Sequence, residues 1–277
     1  MSALNAIASD KLFRLIGTHN CPAIIDVRTD DDFAARPFLI PGAARRRFDR
    51  IESWFPDFAG RPSVVYCHKG GGISAGVAAW LRARGLEAEI LEGGMTAWSE
   101  AGLPAIPEAS LPPRDELGRT LWVTRARPKV DRIACPWLIQ RFVDRNATFL
   151  FVSPADIDKV VERFGATAFD VEGVHWSHRG DQCTFDTMVD GLGLTGFEAL
   201  QRLAVIVRGA DTGQPELAPQ CAGLLAASLG LSRMYGDDLE QLDAGMVLYD
   251  ALYRWCRDAT DETHDWVSHA PKARKRR

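Results

Sequence analysis

Cys67 lies in the run Tyr66-Cys67-His68-Lys69-Gly70-Gly71-Gly72-Ile73-Ser74, at the mouth of a glycine-rich turn between an apolar strand and a helix. A cysteine placed there meets converging backbone N–H groups and the positive end of a helix, both of which favour a thiolate or a bound anion. Gly70, Gly71 and Gly72 leave the chain free to turn its amides inward around such a guest. His68 and Lys69 add positive charge beside the sulfur. This suits nucleophilic sulfur chemistry on an anionic substrate. The plainer alternative is a strand-to-helix connection with an incidental cysteine.

A second candidate lies further along the chain. Arg125, Arg127, Lys129 and Arg132 place four cations within eight residues, ahead of a helix start at Asp131. Together with the free N–H groups of a first helical turn, they could receive a tetrahedral dianion such as chromate or sulfate. The alternatives are a solvated basic face or a docking surface for acidic residues of the first half. Asp131 itself reads as a helix N-cap.

His178, with Asp170, Glu172, Cys183, Asp186 and Asp211, supplies donors for a divalent metal in the second half. His178 and Asp211 lead that set and Asp170 is third, although the spacing matches no recognised metal motif. The alternative is a histidine that only hydrogen-bonds in a polar loop, and no cofactor is certain. His175 and His264 read as incidental. Cys135, Cys183, Cys221 and Cys256 fall in helical patterns and read as small buried apolar side chains.

The elements that position these residues follow from periodicity. Residues 63–66 are a short buried strand, Ser74 can cap the helix after the cysteine, and residues 23–28 are a strand ending in Asp26-Val27-Arg28. Residues 104–117 contain four prolines and no regular period, which predicts an extended linker. Beyond it, strands are expected at 121–124, 148–153 and 168–171, and helices at 131–144 and 155–164. Amphipathic helices are then expected around 184–190, 196–210, 216–234 and 238–257. The fold class is α/β, a central mostly parallel sheet followed by an α/β-to-mainly-α second domain. The predicted boundaries are 1–107, a linker at 108–117, 118–268, and a basic, disordered tail at 269–277.

Composition narrows the function classes. The chain has 277 residues, enough for one large or two ordinary domains, and is 46% hydrophobic and 25% charged. A net charge of −4 gives no bulk attraction to nucleic acid or to an anionic membrane, and no apolar run approaches the length of a membrane span. The six cysteines show no CxxC pairing, which fits reduced thiols in a cytoplasm, and no secretory signal is visible.

Asp26-Val27-Arg28, Ile40-Pro41-Gly42-Ala43, the Cys67 loop and Leu91-Glu92-Gly93-Gly94-Met95-Thr96-Ala97-Trp98 are four separated motifs in one order. Over residues 5–107 they resemble the rhodanese-like sulfurtransferase domain. The resemblance implies a persulfide on Cys67, taken from a donor such as thiosulfate and passed to a thiol acceptor. It also implies that the loop from His68 through Lys69, Gly70, Gly71, Gly72, Ile73 and Ser74 binds the donor, with Asp26 and Arg28 as supports. Family loops are usually one residue shorter, and many close with an arginine. Here the loop runs seven residues from Cys67 to Ile73, as in the rhodanese-related dual-specificity phosphatases. Those enzymes need the closing arginine that this chain lacks, so phosphatase activity is not expected.

The second half is similar to the C-terminal domain of the chromate-resistance family of the ChrB type. The resemblance rests on Trp122-Val-Thr-Arg-Ala-Arg-Pro-Lys-Val-Asp-Arg-Ile-Ala-Cys-Pro-Trp-Leu-Ile139, Phe169-Asp170, Ser177-His-Arg-Gly180, Cys183-Thr-Phe-Asp186 and Arg208-Gly-Ala-Asp211. It implies a link to chromate stress without supplying a reaction. Two functions follow: a rhodanese-type sulfurtransferase, or a chromate- or redox-responsive sensor with little turnover.

Overall fold

In the computed structural model, residues 5–116 and 118–263 are described, so the predicted basic tail and His264 lie outside the described residues. The first half runs β1 (Ala6–Ile7), α1 (Ser9–Leu15), β2 (Ala23–Asp26), α2 (Asp30–Ala35), β3 (Phe38–Leu39), β4 (Ala43–Arg45), α3 (Ile51–Trp54), β5 (Ser63–Tyr66), α4 (Gly72–Ala83), β6 (Ala88–Leu91) and α5 (Gly94–Glu100). Five strands pair in the order β1-β6-β5-β2-β4, all parallel. Every residue of β2 and β5 is buried, as a parallel sheet covered on both faces requires. Alternation splits their side chains between two cores. Ile24, Val64 and Tyr66 face one, and Ile25, Val65 and Cys67 the other.

The second half runs β8 (Leu121–Arg125), α6 (Asp131–Leu138), β9 (Thr148–Val152), α7 (Ile157–Phe164), β10 (Thr167–Ala168), α8 (Thr184–Gly191), α9 (Glu198–Asp211), α10 (Cys221–Met234) and α11 (Asp238–Asp258). Its three strands are parallel in the order β10-β8-β9. Helices α6, α8, α9 and α11 close around Trp137, whose ring lies 5.4 Å from Tyr253 and 6.4 Å from Phe185, centroid to centroid. The chain is thus mixed α/β, parallel in its first sheet and mostly helical after its second.

Two expectations change, and the halves share one core. The segment read as an extended linker contains β7 (Ile106–Pro107), which pairs antiparallel with β3. The strand expected at 168–171 ends at Ala168, because Asp170 adopts φ +51°, outside the strand region. The halves are also not simply tethered. One apolar cluster runs from Leu12, Ile16 and Trp98 to Trp137, Phe142 and Phe197. Phe13 stacks on Phe197 at 4.7 Å, and the Gly42 N–H donates to the Phe142 carbonyl at 2.5 Å. Gly17 sits in the left-handed region, where a Cβ would lie 2.3 Å from the Phe142 ring, so the two halves approach as closely as backbone allows.

Candidate active site

Cys67 follows the last residue of β5, and its loop leads into α4. Burial opposes ionisation of the thiol, but the Ser74 hydroxyl and the backbone N–H groups of Ser74, Gly71 and Lys69 outweigh it and hold the thiol below its ordinary pKa. The Ser74 hydroxyl lies 3.2 Å from Sγ and 3.1 Å from the Gly71 carbonyl. Ser74 is therefore not the helix cap. Helix α4 starts two residues earlier, with Gly71 at the N-cap, so Ser74 lies within the first turn and faces the sulfur.

The glycines differ in role. Gly70 has φ +65°, and a Cβ there would lie 2.7 Å from the Gly93 nitrogen, so only glycine fits without strain. Gly94 meets the loop from behind, where a Cβ would lie 2.3 Å from the Cys67 carbonyl oxygen. Gly71 and Gly72 are exposed and have open space where a Cβ would stand. Lys69 is exposed and His68 half-buried. Ile73 packs into the core that holds Cys67. Cys67 is only 5% exposed, so little of the sulfur is open to a donor.

Asp26 and Arg28 are buried, joined by Arg28 Nε donating to both Asp26 oxygens at 3.0 and 2.9 Å. Arg28 also donates to the carbonyls of Arg36 and Phe38. Tyr66, beside Cys67 in sequence, donates its hydroxyl to Asp26 at 3.0 Å. The carboxylate thus ties β2 to the strand that carries the cysteine. Tyr66 was not singled out from the sequence, although an aromatic phenol across from an acidic strand residue is a readable signal. Thr96 is likewise new. Its N–H and hydroxyl both donate to the His68 carbonyl at 2.9 Å, which pins the loop to α5.

The four-cation cluster does not converge on one point. Arg125 and Arg132 turn to the same Asp170 oxygen, at 2.9 and 3.1 Å. Arg127 instead donates to the carbonyls of Ser232, Tyr235 and Gly236 at the end of α10, while Lys129 is exposed. Backbone carbonyls and a buried carboxylate draw the guanidinium groups apart, which corrects the reading of a single four-cation anion cradle.

His178, Asp170 and Asp211 do come together, with Asp131 as a fourth member. His178 Nε2 lies 3.5 Å from Asp131, 3.4 Å from Asp170 and 3.3 Å from Asp211. Asp131 is the first residue of α6 and not its cap, and its carboxylate accepts from the Thr184 N–H of α8. Burial, then the charges of Asp131 and Asp170, push Asp211 up to about 7. The carboxylates, Asp131 first, raise His178 to about 9. Val130, just before Asp131, holds φ +40°, a strained position for a β-branched residue. Ser228 and Tyr249 clamp it through its N–H and carbonyl, at 2.8 and 2.7 Å. Asp186 pairs with Arg208 instead and Glu172 is exposed.

Against known families, residues 9–101 match the rhodanese-like domain, and residues 122–256 match the C-terminal domain of ChrB. The chain joins a rhodanese-like domain to a ChrB C-terminal domain. Over 133 residues it is 35% identical to "Protein ChrB" of Cupriavidus metallidurans, a match that covers 48% of this chain and 39% of that relative. The chain therefore spans well under half the length of that relative. A rhodanese-like domain protein from Staphylococcus aureus is 32% identical, covering 34% of this chain and 91% of its own, with a TM-score of 0.31. A rhodanese-related protein from Thermoplasma volcanium is 21% identical, covering 37% of this chain and 98% of its own, with a TM-score of 0.33. Cys67 and its loop lie in the rhodanese-like domain, and the His178 cluster lies in the ChrB domain. Among the described residues, no helix is long and apolar enough to cross a membrane.

Proposed function

We propose that the rhodanese-like domain is a sulfurtransferase whose persulfide forms on Cys67, and that the ChrB domain links it to chromate resistance. The observation that carries this reading is the convergence of the Ser74 hydroxyl and the Lys69, Gly71 and Ser74 amides on a single sulfur. The Cys67 thiolate attacks the outer sulfur of thiosulfate. The new Sγ–S bond forms as the S–S bond of thiosulfate breaks, and sulfite leaves with the electron pair. A thiolate acceptor then attacks the sulfane sulfur, takes it as its own persulfide, and returns Cys67 as thiolate. Exposed Lys69 and the open ground over Gly71 and Gly72 receive the anionic end of the donor.

One observation favours a second reading. Ile73 packs into the core at the loop's end, where many relatives carry a substrate-binding arginine, so the loop has fewer fixed charges for turnover. In that case the domain accepts one sulfur or one oxidising equivalent and serves as a chromate- or redox-responsive sensor. Steady-state transfer from thiosulfate to cyanide separates the two. Catalytic turnover that disappears in Cys67→Ser and survives in Cys21→Ser supports the enzyme. A single stoichiometric event without turnover supports the sensor.

A further inference from the structure

We propose that Asp131, Asp170 and His178, with Asp211 beside the imidazole, form a binding site for one divalent transition-metal ion of the Mn2+, Fe2+ or Zn2+ class. The elements converge from distant parts of the chain: the start of α6, the second residue past β10, the last residue of α9 and the loop before α8. One ligand atom from each of Asp131, Asp170 and His178 lies within 4.8 Å of the others. The three separations from Nε2, 3.3 to 3.5 Å, exceed an ordinary N–H···O hydrogen bond of about 2.7–3.2 Å. They match the roughly 3.4 Å between neighbouring ligands of a tetrahedral ion with bonds of about 2.1 Å. The imidazole is thus paired with no single carboxylate in preference to the others and is spaced from all three as a co-ligand would be.

The charge balance points the same way. Asp131 and Asp170 are 2% and 4% exposed. Arg125 and Arg132 both serve one oxygen of Asp170, and among the described residues no arginine or lysine forms an ion pair with Asp131 or Asp211. Two carboxylates are therefore held close together in the interior with only the imidazole before them, an arrangement a divalent ion stabilises.

Two buried hydroxyls on elements that bond the cluster, Thr124 Oγ1 of β8 and Thr187 Oγ1 of α8, also lack a hydrogen-bond partner. Thr187 is three residues on from Thr184 in α8, hence on the face whose N–H and hydroxyl already serve Asp131 and Asp170. Thr124 shares its face of β8 with Trp122, whose ring meets Phe169, the neighbour of Asp170. Water on a metal would satisfy such groups. An imidazole among carboxylates selects the first-row transition ions over Mg2+ or Ca2+. His178, 42% exposed, marks the side from which the ion and a further ligand enter.

The test uses the full-length protein stripped with a chelator and titrated with Mn2+, followed by electron paramagnetic resonance, and with Zn2+, followed by calorimetry. The wild type should bind one ion per chain. His178→Gln and Asp131→Asn should each weaken binding by more than about a hundredfold, beyond the 10–100-fold cost of losing a group that only orients a ligand, which is the loss expected of Asp211→Asn. Glu172→Gln, an exposed carboxylate in the same region, and Cys67→Ser should bind as the wild type does. His178 is half in solvent, so its variant should fold even if Asp131→Asn does not. No ion bound by the wild type, or equal affinity in His178→Gln, overturns the proposal.

Discussion

The Ser74 hydroxyl stands 3.2 Å from the sulfur of Cys67 and 3.1 Å from the carbonyl of Gly71, so one hydrogen has two acceptors to choose between. While Cys67 is a thiol, the carbonyl holds it; once the sulfur ionises, the stronger acceptor draws it over. Ser74 thereby stabilises the thiolate selectively.

The pH dependence follows from the direction of the Cys67 shift. The thiolate fraction rises through the thiol's pKa, which the loop holds below its ordinary value, so alkylation of Cys67 by iodoacetamide should reach half its maximum at lower pH than for an unfolded thiol. Ser74→Ala should move that midpoint up and slow the reaction at neutral pH. The same depressed pKa stabilises the fold above the unfolded thiol's pKa, a contribution lost as pH falls through the folded value. An unchanged midpoint in Ser74→Ala would remove the hydroxyl from the account.

Gly70 and Gly71 should respond oppositely to one methyl group. Gly70→Ala places a Cβ against the Gly93 and Gly94 nitrogens at φ +65°, and should displace the loop and cut sulfur transfer at least tenfold. Gly71→Ala adds its methyl to the open space where the donor lies without moving the loop, so it should raise KM for thiosulfate while leaving kcat nearly intact. Equal losses in both would mean that the loop is not the rigid cradle described.

Breaking the buried Asp26–Arg28 pair should cost more than a surface pair would. Asp26→Ala leaves the Arg28 guanidinium buried with only the Arg36 and Phe38 carbonyls, and also strands the Tyr66 hydroxyl. Urea denaturation should show a loss of about 3–5 kcal/mol. Tyr66→Phe, which removes little volume but two hydrogen bonds, the one to Asp26 and the one from the buried Ile40 N–H, should cost less, about 1–3 kcal/mol.

The position of Cys67 among loop amides was legible in the sequence because it depends on local features, a four-residue apolar strand followed by glycines and a helical period. The long helices of the ChrB domain were legible for the same reason. What escaped depends on residues far apart in the chain. The arginines near residue 130 read as one patch until Asp170, distant in sequence, captures two of them and the end of α10 the third. Asp131 read as a cap because capping is the common local role of an aspartate at a helix start, and only the packing of α8 against α6 turns its carboxylate elsewhere. The expected cap at Ser74 lies three residues past the observed cap at Gly71, and a helix boundary is the least determinate feature of a periodic pattern.

The common core predicts that both domains unfold together. Phe142 touches the first half through its carbonyl at Gly42 and its ring at Gly17, and the second through Tyr253 and Phe197. Phe142→Ala should lower stability by about 3–5 kcal/mol, and far-ultraviolet circular dichroism and tryptophan fluorescence should report one coincident transition. Two separated transitions would show that the halves are only tethered.

The central claim is that Cys67 carries the transferred sulfur. It is tested most directly by intact and peptide mass spectrometry of the full-length protein after incubation with thiosulfate, under non-reducing conditions. A gain of one sulfur atom that maps to Cys67, that a thiol acceptor removes, and that Cys67→Ser fails to acquire is the predicted result. No adduct on the wild type, or an equal adduct on Cys67→Ser, would contradict it.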